Sequence, residues 1–148
     1  MRYVILVRHG VYFDVNLHPK GRDQITDLAW PLRNYTTDGQ SLILASPLAR
    51  TVQSAEILAK LLRVPFDTHE VLQSCEGRKK NLDTLHAVVK TLASMETLIL
   101  VTHGDYCNEY PVYFMKKEFG IQCFEQEVSL GQACVVDCER KVRIPIRD

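Results

Sequence analysis

Three short segments carry residues suited to one kind of chemistry. Arg8-His9-Gly10 follows an apolar run, Arg50 lies within Ala45-Ser46-Pro47-Leu48-Ala49-Arg50-Thr51, and Thr102-His103-Gly104-Asp105 follows a further apolar run. If these runs are neighbouring strands, two arginines and two histidines converge on one edge of a sheet. A phosphoryl group suits that set, because it carries close to two negative charges and three equatorial oxygens that guanidinium forks grip in pairs. Phosphoryl transfer asks mainly for positioning and charge neutralisation. A neutral imidazole nitrogen can attack phosphorus in line, giving a phosphohistidine that water then hydrolyses. Gly10 and Gly104 follow the two histidines, which predicts a backbone that approaches the phosphate with no Cβ in the way.

The elements that must position these residues are legible in the apolar pattern. Tyr3 to Val7, Ser41 to Ala45 and Thr97 to Thr102 are apolar throughout and lack a period of 2, as expected of strands covered on both faces. Between them, residues 19–33 carry Ile25, Leu28, Ala29 and Leu32 at helical intervals, with Pro19 in the first turn and Pro31 kinking or ending the helix. Residues 48–63 place Leu48, Val52, Ala55, Leu58, Ala59 and Leu62 on one stripe, and Ser46-Pro47 reads as cap and first turn. Residues 81–94 repeat the pattern. Further strands are expected at Phe66 to Val71, Gln132 to Cys138 and Lys141 to Ile146, the last two as an antiparallel edge hairpin. Strand and helix alternate, which predicts one α/β domain over residues 1–148. In such sheets, ligands gather at the carboxyl ends of the strands, where the following helices point their N-termini.

Composition sets outer bounds. The 148 residues are 46% hydrophobic and 24% charged, with 18 basic against 18 acidic side chains. The balance gives no sequence-wide pull toward nucleic acid or an anionic membrane. Five cysteines, widely spaced and with no C-x-x-C pair, read as reduced thiols, and Cys134 and Cys138 as core packing. The N-terminal apolar run reaches Arg8 with no small-residue cleavage site, so a cytoplasmic protein without a signal peptide is expected.

Leu6-Val7-Arg8-His9-Gly10 resembles the R-H-G signature of the histidine phosphatase superfamily. Residues 46–55, SPLARTVQSA, resemble its S-P-L-x-R-[TA]-x-Q-[TS]-A helix start, and Val101-Thr102-His103-Gly104 its second-histidine motif. Leu17-His18-Pro19-Lys20-Gly21-Arg22-Asp23-Gln24 is similar to the family's L-T-x-x-G-x-x-Q stretch, with His18 in place of Thr. The order and spacing match from residue 3 to about residue 105, and Ser129 to Asp137 looks like the closing strand. The resemblance implies a three-layer α/β sandwich, its mostly parallel central sheet flanked by helices in the phosphoglycerate-mutase-like manner. It implies a phosphatase that needs no metal or other cofactor, with His9 as nucleophile and Arg8, Arg50 and His103 completing the phosphate pocket.

The departures from the pattern are as informative. Larger members carry a proton-donating Glu within L-x-E-x-x-x-G-x-x-E-G. Here the stretch reads Val71-Leu72-Gln73-Ser74-Cys75-Glu76-Gly77, so Ser74 stands at the L-x-E position and Glu76 is the candidate acid by proximity, ahead of Glu70 and Asp105. The Asn often found after R-H-G-x-x-x-x is replaced by Val15, with Asn16 one place late. Long helical insertions between residues 9 and 19 and between 64 and 96 are absent, which predicts a shallow, open pocket suited to a phosphate displayed on another macromolecule. That layout resembles the small SixA-type phosphohistidine phosphatases. The substrate expected is a phosphohistidine-bearing protein, the alternatives being a small-molecule phosphate ester or a silent phosphate-binding module. The basic run Arg78-Lys79-Lys80 is either a solvated loop or a docking site for an acidic partner, and His86 and the aromatic residues after His103 read as packing.

Overall fold

The computed structural model describes residues 1–147. Runs that are apolar on both faces have no side to offer to water, and they become the central strands. These are β1 (Tyr3–Arg8), β4 (Ser41–Ala45) and β6 (Thr97–Thr102). A small hairpin, β2 (Tyr12–Phe13) and β3 (Asn16–Leu17), follows β1. The remaining strands are β5 (Phe66–Thr68), β7 (Ala133–Asp137) and β8 (Val142–Ile146). The helices are α1 (Pro19–Leu32), α2 (Ala49–Leu62), α3 (Leu82–Thr91) and α4 (Gly104–Phe119).

The six-stranded sheet runs β5-β4-β6-β1-β7-β8. The first four strands are parallel, and β7 and β8 form the antiparallel edge hairpin expected from the sequence. Alternate residues of β1 feed two separate cores. Val4 and Leu6 pack with Leu85, Val89, Tyr106, Tyr110 and Phe114 from α3 and α4, while Ile5 and Val7 pack with Ile25, Leu28, Ala55 and Leu58 from α1 and α2. This is the three-layer sandwich, each fully buried Leu or Ile contributing ~1.5–3 kcal/mol. Among the described residues, no helix is long and apolar enough to cross a membrane.

Two local expectations need correction. The strand expected over Phe66 to Val71 stops at Thr68, because β5 pairs only with Ile43 to Ala45 and β4 ends there. The His69 amide still reaches the Ala45 carbonyl, and the chain then closes into a short 3-10 turn at Glu70–Leu72 that His69 caps. The helix expected to begin with Ser46 as cap begins later: Leu48 is the N-cap of α2 and contributes no side-chain bond. By contrast, α1 starts at Pro19 with His18 accepting from the Lys20 amide, and ends one residue after Pro31.

Candidate active site

β1, β4 and β6 lie side by side and run the same way, so their carboxyl ends form one ledge: Arg8 pairs with Thr102, and Ala45 with Val101. The segments leaving that ledge bring His9, Ser46, Arg50 and His103 together. The four are buried, His9 at 3% exposure, Arg50 at 7%, His103 at 6% and Ser46 fully.

His9 is held in one orientation. Its Nδ1 lies 3.0 Å from the Gly10 carbonyl, an acceptor only, so Nδ1 carries the proton and Nε2 keeps its lone pair. Arg50 Nε–H donates to that Nε2 at 3.3 Å, consistent with the same tautomer. The His103 ring stands 5.6 Å away centre to centre, and its Nε2 is 2.9 Å from Ser46 Oγ. Burial, ahead of all other causes, lowers both imidazoles to about 4; nearby Arg50 and Arg8 act in the same direction, and the rings repel each other's charge at His9. Both are therefore neutral at pH 7, and His9 presents an unprotonated nitrogen to the pocket.

Arg8 completes the cationic side. Its Nη1 donates to the Val128 carbonyl at 3.2 Å, while its buried Nε has no partner in the protein. Gly104 makes room for this guanidinium, since a Cβ there would stand 2.9 Å from Arg8 Cζ. Gly10 has a comparable steric task, because a Cβ would meet the Gly21 carbonyl oxygen of α1 at 2.5 Å. The glycine after His9 is therefore required by the backbone of a helix and the one after His103 leaves room for an arginine side chain, where the sequence suggested a direct approach of backbone to phosphate.

Several residues around the quartet were not singled out from sequence. Ser46 leaves its expected capping role to bond His103, and Thr51 Oγ1 closes the turn by donating to the Ser46 and Leu48 carbonyls. Ser54 Oγ accepts from the Gly10 amide at 3.2 Å. Gln24 Oε1 accepts from the Val11 amide and Gln53 Oε1 from the Leu17 amide, splinting the chain that follows His9 from both ends. Tyr12 lays its ring 4.4 Å from Arg50 Cζ and 5.2 Å from the His9 ring. Serine and glutamine inside the helix motif were the available signals; for Tyr12 there was none.

Among the described residues no helix roofs the quartet, and two short turns stand beside it: the β2–β3 hairpin through Tyr12, and residues 73–77, where Cys75 Sγ lies 3.5 Å from Arg50 Nη2. Glu76 stands on the second turn, with Oε2 3.7 Å from Arg50 Nη1 and its side chain more than half exposed. Ser74, at the family's acid position, donates to Asp105 at 2.6 Å. The basic run is largely neutralised, Arg78 pairing with Glu70 and Lys80 with Glu109. His86 is structural, bonded to Tyr110 and Glu118, and Tyr106, Tyr110 and Phe114 are buried packing residues.

Comparison with known proteins agrees with this fold. The chain superposes on a candidate phosphohistidine phosphatase SixA from Agrobacterium tumefaciens with a TM-score of 0.71 at 15% identity, covering 99% of this chain and 96% of that one. The protein histidine phosphatase SixA complexed with tungstate gives 0.67 at 16% identity, over 98% and 94%. Phosphoserine phosphatase from Entamoeba histolytica, in complex with 3-phosphoglyceric acid, gives 0.68 at 14%, over 98% and 95%. At these identities the likeness is one of fold. Comparison with curated proteins gave no significant match. The family profile of the histidine phosphatase superfamily (branch 1) matches residues 4–83, more than half of the sequence and including both Arg8-His9-Gly10 and Arg50. The chain belongs to the histidine phosphatase superfamily.

Proposed function

We propose that the protein is a metal-independent phosphatase that works through a phosphohistidine on His9 and prefers a phosphohistidine-bearing protein as substrate. The observation that carries this reading is the tautomer of His9: Nδ1–H is committed to the Gly10 carbonyl, and Nε2 is left unprotonated, its lone pair accepting from Arg50 Nε–H, a donor that a bound phosphate would draw to its own oxygens. In the first step Nε2 attacks phosphorus in line, a new P–N bond forms, and the bond to the leaving group breaks. Arg8 and Arg50 neutralise the equatorial oxygens, and neutral His103, oriented by Ser46, donates a hydrogen bond to one of them. In the second step water attacks the phosphohistidine, releasing inorganic phosphate and regenerating neutral His9.

The substrate preference rests on the leaving group. Transfer from a phosphohistidine breaks one P–N bond and makes another, and the departing imidazole takes a proton readily from water. An alkoxide departs only with the help of a well-placed acid. Of the candidate acids, Asp105 is bonded to Ser74, and Glu76 is solvated and paired with Arg50. That same carboxyl favours the second reading, a small-molecule phosphomonoesterase, since a protonated Glu76 at the mouth could donate to an ester oxygen.

Comparing kcat/KM for a histidine-phosphorylated phosphotransfer domain and for p-nitrophenyl phosphate tests the assignment, with His9→Ala as control for both. A large preference for the phosphoprotein, lost in the variant, is the expected result. Faster turnover of the ester would overturn the substrate assignment in favour of the monoesterase, and no His9-dependent turnover of either would leave a phosphate-binding module.

A further inference from the structure

We propose that the β2–β3 hairpin is a projecting contact for the protein that carries the phosphate, with Phe13 as its tip, Val15 beside it and Tyr12 as its root in the pocket. Phe13 is 79% exposed, Val15 50% and Tyr12 41%, so three consecutive-region apolar side chains face water on an element only four strand residues long. Folding gains nothing from exposing them, and grouped exposed apolar residues mark an interaction surface.

Three features fix what that surface takes. The hairpin is continuous with the phosphate pocket, since Tyr12 stacks on Arg50 and stands edge-on to His9. Whatever touches Phe13 while phosphate sits on the quartet is therefore the body to which the phosphate is attached. The hairpin is also held in place: Gln53 bonds the Leu17 amide and the Asn16 side chain at 2.7 Å each, so the tip is carried by α2, the helix that carries Arg50. Finally, the tip projects into water: residues 12–16 are all exposed, and Asp14 turns the chain through a positive φ of 57°. A small molecule needs a concave site that surrounds it, whereas a projecting aromatic side chain gains contact area only against a partner with a surface of its own. The occupant is the apolar flank of a protein beside its phosphorylated residue. This inference rests on the phosphoprotein reading given above and adds the element that recognises the carrier.

Phe13→Ser and Phe13→Leu, assayed on a histidine-phosphorylated phosphotransfer domain and on phosphoramidate, provide the test. Phosphoramidate offers the same kind of P–N bond with no body to meet the hairpin. The Ser variant should raise KM for the phosphoprotein by about fivefold or more with kcat little changed, leave phosphoramidate turnover as in the parent, and be largely rescued by Leu. Equal behaviour of parent and Ser variant on the phosphoprotein would overturn the hairpin's role while leaving the phosphoprotein reading intact. Equal losses on both substrates would also overturn it, since the hairpin would then act on the pocket itself. If the parent turns over phosphoramidate but not the phosphoprotein, the substrate reading fails and the proposed occupant fails with it.

Discussion

The floor of the pocket and its rim are held by different kinds of contact. On the floor, beside the local bond of His9 to Gly10, three links join distant parts of the chain: Arg50 to His9 across 41 residues, Gly10 to Ser54 across 44, His103 to Ser46 across 57. These groups are buried, and their bonds do not compete with water. The rim at residues 70–80 also reaches across the chain, Ser74 to Asp105 and Lys80 to Glu109, but it lies nearer solvent: Gln73 bonds the Cys75 and Glu76 carbonyls a few positions away, and Arg78 pairs with Glu70 in water. Exposed pairs of that kind contribute little and are screened by salt. The contrast teaches that the proposed phosphate pocket is built from buried contacts of the fold, while the turn that carries Glu76 is a surface element.

If the floor carries the chemistry, the largest effect belongs to its nucleophile. His9→Ala should lower kcat/KM by ~10⁴ or more on any phosphoryl substrate, measured against parent enzyme with matched folding by circular dichroism. Arg50→Ala should cost ~10²–10³ in kcat, and Arg50→Lys should recover little of it, since a lysine cannot keep both the Nε contact to His9 and a fork for the phosphate. Recovery by Lys would mean that charge alone matters on the floor.

Stability should report the same burial. The unfolded chain protonates its histidines near pH 6.5, whereas the folded chain holds His9 to about 4. Between those values the unfolded state binds the proton and the folded state does not, so stability is complete above about 6.5 and falls as pH drops toward 4. The loss from His9 should be roughly 3 kcal/mol, read as the change in denaturant midpoint between pH 7 and pH 4 and reduced in His9→Asn. A flat profile would mean that His9 is solvated. Ser46→Ala should lower kcat by about tenfold, by freeing the His103 ring. The smallest effect belongs to the rim: Glu76→Gln should change kcat/KM for a phosphohistidine protein by less than about threefold. A large loss there would erase the distinction between floor and rim.

Much of the floor was legible because its residues recur in short motifs at strand ends. The central strands and the helices were legible because runs apolar on both faces, and stripes at helical spacing, admit few alternatives. What could not be read depended on contacts made across space. Ser46 looks like a helix cap from its neighbours, and only the fold puts His103 within reach of its hydroxyl. Gly104 follows a histidine, yet the atom that needs its missing Cβ belongs to Arg8. The strand expected through Val71 stops early because its partner β4 runs out, a limit set by pairing and invisible to propensity. Tyr12 carries no periodic signal at all, and its place over Arg50 comes from a hairpin that Gln53 ties down.

The central claim is that His9 Nε2 becomes covalently phosphorylated. Brief exposure to phosphoramidate, an alkaline quench that preserves P–N bonds, and intact-mass analysis with peptide mapping address it directly. The expected result is the added mass of one phosphoryl group, located on His9 and absent from His9→Ala. Turnover of phosphoramidate with no covalent phosphate, or with phosphate on another residue, would contradict it.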